Sequence, residues 1–103
     1  YIIIATYGHE YDYEVLDSLY KKPCNPAYIG LLSSKVKVEQ TIGRFADRKG
    51  AQVNLKNLYT PAGLDIGGST PDEIAVSIIS QMQAVRYNKK GHKHLREEWY
   101  LSK

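Results

Sequence analysis

The run Ser69-Thr70-Pro71-Asp72-Glu73 leaves its part of the chain little choice but to start a helix. Thr70 can serve as N-cap, and Pro71 then takes the first helical position, where its missing N–H costs nothing. Glu73 stands three residues after the cap, the arrangement of a capping box. Ala75, Ile78, Ile79, Met82 and Val85 follow at helical spacing and predict an amphipathic helix to about Arg86, with that stripe turned toward the rest of the domain. Just before the cap, Gly63, Gly67 and Gly68 flank Leu64, Asp65 and Ile66. A short apolar segment with one carboxylate is thus held where the backbone can turn or be closely approached. Asp65 keeps two readings: it binds a ribose hydroxyl, a metal or a cationic ring, or it accepts hydrogen bonds from its own loop.

Upstream, strands and helices alternate. Tyr1 to Thr6 is a β-branched run that predicts a strand buried on both faces, and Asp12 is a reasonable N-cap for a helix to about Lys22 with Val15, Leu16, Leu19 and Tyr20 inward. Ala27 to Leu32 predicts a second strand. Ser33 or Ser34 caps a second helix that carries Val38, Ile42, Phe45 and Ala46 inward and ends at Gly50. Gln52 to Thr60 predicts a third short strand before Pro61. This order is that of parallel βαβ units, whose ligand sites lie outside the C-terminal ends of the strands. Three loops qualify together: Tyr7 to Glu10, Ser33 to Lys35, and Gly63 to Thr70. Exposed N–H groups at such helix starts favour an anion, and Ser33, Ser34 and Lys35 add two hydroxyls and a cation. The same serines can equally be simple caps.

Charge and composition narrow the function. The net charge is +3, but Tyr1 to Tyr87 is neutral, and the whole excess lies in a basic tail, residues 88–103. No basic face is expected on the folded part, residues 1–87, so nucleic acid is not an expected partner. No apolar run nears the roughly 20 residues of a membrane span. Cys24 is single, which fits a reducing compartment and a cytoplasmic protein. G-x-G-x-x-G, Walker, HExxH and G-x-S-x-G patterns are absent from these 103 residues. His9, beside Glu10 and Asp12, can transfer protons, grip a ligand or be structural. His92 and His94 read as tail rather than as a metal site, and no metal ligand set is expected.

Ala27 to Lys37 (AYIGLLSSKVK) and Thr60 to Ile79 (TPAGLDIGGSTPDEIAVSII) together resemble the XdhC/CoxI family, the accessory proteins of xanthine dehydrogenase and related molybdenum hydroxylases. The likeness runs from Tyr1 to about Arg86. Thr6, Gly8 and His9 match a T-H-x-H-like loop with Tyr7 in place of its first histidine, and Ser33 replaces a glycine of the second motif. Ala62, Gly68 and Asp72 are small departures within the third motif.

The resemblance implies an α/β, Rossmann-like three-layer domain with a parallel sheet, the second half of a larger doubly wound domain. It implies a module that binds molybdenum cofactor (molybdopterin) and passes it to the apo-enzyme of a molybdenum hydroxylase, with a cysteine desulfurase as a further partner and a homodimer as the assembly. Cofactor contacts are expected from Thr6, Gly8, His9, Gly30, Ser33, Ser34, Lys35, Gly63, Asp65, Gly67, Gly68 and Thr70. No catalytic residue is assigned, since an accessory binding protein is expected rather than an enzyme. Two alternatives stand beside it. One is an NAD(P)-dependent oxidoreductase-like domain completed by residues outside this chain; the other is a structural dimerisation domain.

Overall fold

Short β-branched and aromatic runs, each followed by an amphipathic helix, produce three parallel strands. The computed structural model describes residues 1–6, 9–21, 25–49 and 55–102, and the side chains of these apart from residues 9, 10, 35 and 45–49. Strands β1 (Ile2–Ile4), β2 (Ile29–Leu31) and β3 (Leu58–Tyr59) lie in the order β1-β2-β3. Ile3 sits opposite Gly30, and Gly30 opposite Tyr59. Helices α1 (His9–Lys21), α2 (Lys35–Lys49) and α3 (Pro71–Arg86) alternate with the strands, and a 3-10 turn spans Trp99–Ser102. The α/β, Rossmann-like expectation is met, because parallel neighbours need helical crossovers.

Side chains alternate across a strand, so Ile29 and Leu31 face one way and Tyr28 and Gly30 the other. On the first face Ile4, Ile29 and Leu31 meet Tyr13 and Leu16 of α1, with Ile2, Leu19, Tyr20 and Leu58 at the margin. Helix α2 packs beside α1. Each large side chain buried there contributes about 1.5–3 kcal/mol.

The second face is aromatic. The Tyr28 ring covers Gly30 and stacks between Tyr1 and Tyr59, with centroids 6.1 and 4.9 Å away. Its hydroxyl donates to Gln81 Oε1 of α3 at 2.7 Å, which brings α3 to this face and completes three layers. Burial, and secondarily Tyr59, pushes the Tyr28 phenol above its ordinary pKa.

Several local expectations are corrected. The strands are shorter than Tyr1–Thr6, Ala27–Leu32 and Gln52–Thr60, and among the described residues β1 lies at one side of the sheet with Ile3 exposed rather than buried on both faces. Helix α1 begins at His9, so Asp12 lies inside it and is not its cap. Asp12 is only 3% exposed and accepts a short hydrogen bond from the Thr6 hydroxyl, which ties the end of β1 to the helix. Val15 turns outward while Tyr13 turns in.

On α3 the buried positions are Ser77, Ile78 and Ala84, whereas Ala75 and Ile79 face solvent. The cause is polar: a serine and a glutamine of α3 are drawn inward to satisfy backbone groups of the glycine loop. Gly50, Cys24 and residues 52–54 fall outside the described residues, as do the side chains of Phe45 and Ala46.

Helix α3 ends by a Schellman turn. Asn88 adopts φ 55°, its N–H donates to Val85 O at 3.2 Å, and Lys89 N–H donates to Ala84 O at 2.8 Å. The chain then folds back so that Gly91 lies against Leu64 and Ala84. The first residues of the basic tail are therefore packed on the domain.

Candidate functional site

Backbone hydrogen bonds knit the C-terminal ends of the three strands into one rim. Leu32 N–H donates to Ile4 O at 3.0 Å, and Ala62 N–H donates to Leu31 O at 3.0 Å. The Thr60 hydroxyl also reaches Leu31 O, at 3.3 Å. Residues following β1, β2 and β3 are thus neighbours, as a parallel sheet requires of a ligand site.

The turn between β2 and α2 carries Ser33, Ser34 and Lys35. Ser34 is the cap: its hydroxyl accepts from Lys37 N–H at 3.4 Å and its carbonyl from Val38 N–H at 2.9 Å. Ser33 Oγ donates to Ser34 O at 3.3 Å. The first turn of α2 holds Lys35 and Lys37 and no acidic residue, so its N–H groups and cations have no carboxylate of that turn set against them.

The loop after β3 is fastened by side chains that the sequence pattern does not single out. Gln81 Oε1 accepts from Gly63 N–H at 2.8 Å while Gln81 Nε2 donates to Gly63 O at 3.0 Å. Ser77 Oγ donates to Leu64 O at 2.7 Å. Gly63 holds φ 114°, and a Cβ built there would lie 2.6 Å from Ser77 Oγ. A carboxamide and a hydroxyl four residues apart on a helix that follows a glycine-rich loop are the available signal, and apolar periodicity alone does not reveal it.

At the start of α3 the capping box forms as its spacing predicts. Glu73 N–H donates to Thr70 Oγ1 at 3.2 Å, and Glu73 Oε1 accepts from the N–H groups of Ser69 and Thr70, both at 3.1 Å. The Thr70 hydroxyl donates to the same oxygen at 2.9 Å. These bonds, led by the Thr70 N–H, hold the Glu73 carboxyl below the usual carboxylate range. The N–H groups of Ser69 and Thr70, just ahead of this helix, are therefore already engaged by the Glu73 carboxylate.

Replacement of the Thr70 cap, as in Thr70→Ala, is expected to lower stability by about 1 kcal/mol at neutral pH, measured by urea unfolding. The carboxyl contribution has a defined pH sense. With a folded pKa below the ordinary 4.5, it is present above that value and is lost as pH falls through the folded value. The gap between Thr70→Ala and the unaltered chain should consequently narrow in acid. A gap that widened in acid would contradict the box.

The remaining residues sit as follows. Thr6 follows β1 and bonds Asp12; His9 opens α1, its side chain and Gly8 lying outside the described residues. Gly30 lies under the Tyr28 ring within β2. Asp65 is exposed on the loop, and Gly67 and Gly68 both take positive φ, Gly68 against Glu73. The rim therefore joins Thr6, Ser33, Ser34 and Gly63, while residues 65–70 belong to the approach to α3.

Residues 1–82 match the family model of the XdhC Rossmann domain. The chain is 34% identical over 91 residues to the protein YqeB of Escherichia coli (strain K12), covering 88% of the chain and 16% of YqeB. It is 29% identical over 84 residues to a probable xanthine dehydrogenase subunit of Bacillus subtilis (strain 168), covering 82% of the chain and 23% of that protein. A crystal structure of a xanthine dehydrogenase from Bacillus halodurans superposes with a TM-score of 0.63 at 30% identity, over 96% of this chain and 26% of that one. The chain thus spans about a quarter or less of the length of these relatives.

Proposed function

This chain belongs to the XdhC family through its Rossmann domain, and from that premise we propose that it is an accessory module binding molybdenum cofactor by its phosphate or nucleotide end for delivery to a xanthine dehydrogenase-type apo-enzyme. The observation that carries the reading is the β2–α2 turn. Two serine hydroxyls and a lysine-bearing first turn without acid stand on the rim of a parallel sheet. That is the chemistry a phosphate needs: N–H donors, hydroxyls and cations converging on one point.

Ser33, Ser34 and the α2 N–H groups fit a phosphate, with Lys35 and Lys37 supplying charge. The start of α3 fits one poorly, since Glu73 is an anion already in place there. In this division the glycine loop, held open by Gln81 and Ser77, forms a wall of the site, and the β2–α2 turn grips the charged end. The bound cofactor would supply the metal chemistry of the recipient hydroxylase; this chain would hold, shield and release it.

The test is purification of the chain from cells that make the cofactor, with metal analysis and fluorescence of the oxidised pterin. Molybdenum and pterin are expected to elute with the protein. In Ser34→Ala combined with Lys35→Ala, retained pterin should fall about tenfold or more, as loss of a charged contact and a hydroxyl implies. Stability should change by no more than about 1 kcal/mol, the range of a single cap. Unchanged retention would remove this turn from the site. A nicotinamide or adenine nucleotide found in place of pterin would overturn the cofactor reading.

A further inference from the structure

The sequence leaves Asp65 two roles, ligand contact or acceptor for its own loop, and the bonding of the loop separates them. The Gly63 N–H goes to Gln81, the Ile66 N–H closes a tight turn on Leu64 O at 3.0 Å, and the Ser69 and Thr70 N–H groups go to Glu73. Asp65 is the central residue of that tight turn, and its carboxylate has no hydrogen-bond or ion-pair partner among the described residues. The acceptor that serves the loop is Glu73, not Asp65.

The backbone that carries Asp65 is fixed on both sides. Gln81 and Ser77 hold Gly63 and Leu64 before it, and the capping box holds Ser69 and Thr70 after it. A carboxylate on a segment held this way is a preorganised acceptor, and binding to it costs little ordering of the chain. No group of three His, Cys, Asp or Glu side chains gathers among the described residues, so the donor set does not suit a metal ion.

The neighbours suit a flat ring instead. Ile66, next in the chain, is 54% exposed, and Gly67, at φ 87°, has nothing within 4 Å of where a Cβ would stand. Together these residues supply an apolar contact for a ring face, close approach at the glycine, and a two-oxygen acceptor for a ring edge. An ionised carboxylate only accepts, through two oxygens side by side, so it matches two parallel N–H donors. An aminopyrimidinone ring presents that pair, an amino group beside a ring N–H, in pterin as in guanine. Adenine sets a donor beside a bare ring nitrogen, which faces the second oxygen with a lone pair.

Resting on the cofactor reading above, we propose that Asp65 is the specificity residue of the site and binds the aminopyrimidinone edge of the ligand, while the β2–α2 turn holds its phosphate. The bond from Ala62 N–H to Leu31 O joins the two parts. Asp65 and Ser34 each stand three residues beyond it, hence within about 10 Å of it along the chain.

The test follows pterin by its own fluorescence on protein stripped of bound ligand, with lumazine, GMP and AMP as competitors. Lumazine is the same ring with a carbonyl in place of the amino group, which sets an oxygen against the carboxylate. Pterin is expected to bind at least about tenfold more tightly than lumazine, and GMP than AMP. Asp65→Asn, with a donor where one acceptor was, should lose about tenfold or more in pterin affinity and erase both preferences at an unchanged melting temperature. Ile66→Ser should weaken pterin and lumazine alike. The proposal is overturned if the unaltered protein shows neither preference or if Asp65→Asn keeps both. It is overturned equally if that variant loses stability and not selectivity, which would give Asp65 a partner within the protein. A guanine nucleotide retained from cells in place of pterin, with the Asp65 dependence intact, would instead overturn delivery of molybdenum cofactor and support the edge contact.

Discussion

Gly30→Val is expected to cost about 4 kcal/mol and to lower the melting temperature by roughly 20 °C, the largest effect of any single change on the sheet. A Cβ at Gly30 would lie 2.7 Å from Cε1 and Oη of Tyr28. A free surface tyrosine would swing aside, but Tyr28 is 0% exposed, stacked on two sides, and bonded to Gln81. Displacing it forfeits the aromatic stacking at about 0.5–1.5 kcal/mol per pair, a hydrogen bond at about 1 kcal/mol, and the packing of the face. Against a total of roughly 5–15 kcal/mol for a chain of this length, that is a large fraction. Gly30→Ala, with fewer atoms to place, should fall between. Thermal unfolding followed by circular dichroism measures both, and a loss under about 1 kcal/mol for the valine variant would show that Tyr28 is not held as described.

Gln81→Leu comes second, at about 3 kcal/mol. It removes one side chain and orphans three polar groups: the N–H and carbonyl of Gly63 and the hydroxyl of Tyr28. Each unsatisfied buried group costs about 1–3 kcal/mol, discounted here because the site is only partly buried and water can reach it. The signature beyond stability is local: the Gly63 amide should exchange with solvent much faster than its neighbours in β3. A double-mutant cycle with Tyr28→Phe should return a coupling near 1 kcal/mol, since the two changes share one hydrogen bond. Additivity of the two would place Tyr28 and Gln81 in separate networks. Gln81→Leu should also weaken cofactor retention at the proposed site, because Gly63 stands on the rim beside Ala62 and Leu31.

Much of this architecture is legible in the residues because local signals agree with one another. Thr70, Pro71 and Glu73 specify the start of α3 by steric and hydrogen-bonding chemistry that no tertiary contact needs to reinforce. The parallel sheet follows from apolar runs separated by helices. Asp12 misleads because an acidic residue near a helix start can cap or pair, and the Thr6 hydroxyl settles it by reaching back from β1. The α3 stripe misleads for a different reason: apolar spacing identifies Ala75 and Ile79 as inward, whereas the backbone groups of Gly63 and Leu64 must find partners and draw Ser77 and Gln81 in. Hydrogen-bond demand outweighs apolar burial at that contact, and demand of this kind is not visible in periodicity. At the candidate site the motif positions located the loops, but not that Glu73 already engages the N–H groups ahead of α3.

The way α3 ends has a practical consequence for where the chain can be shortened. Asn88 and Lys89 supply the N–H groups that close the last turn, and Gly91 rests on Leu64 of the glycine loop. Cutting the polypeptide after Tyr87 would unravel a helix terminus and strip the outer cover from the loop in one stroke. The packing that closes α3 therefore continues through Gly91, and the tail is two parts of different physical character: a clasp at residues 88–91 and an exposed stretch over residues 92–102.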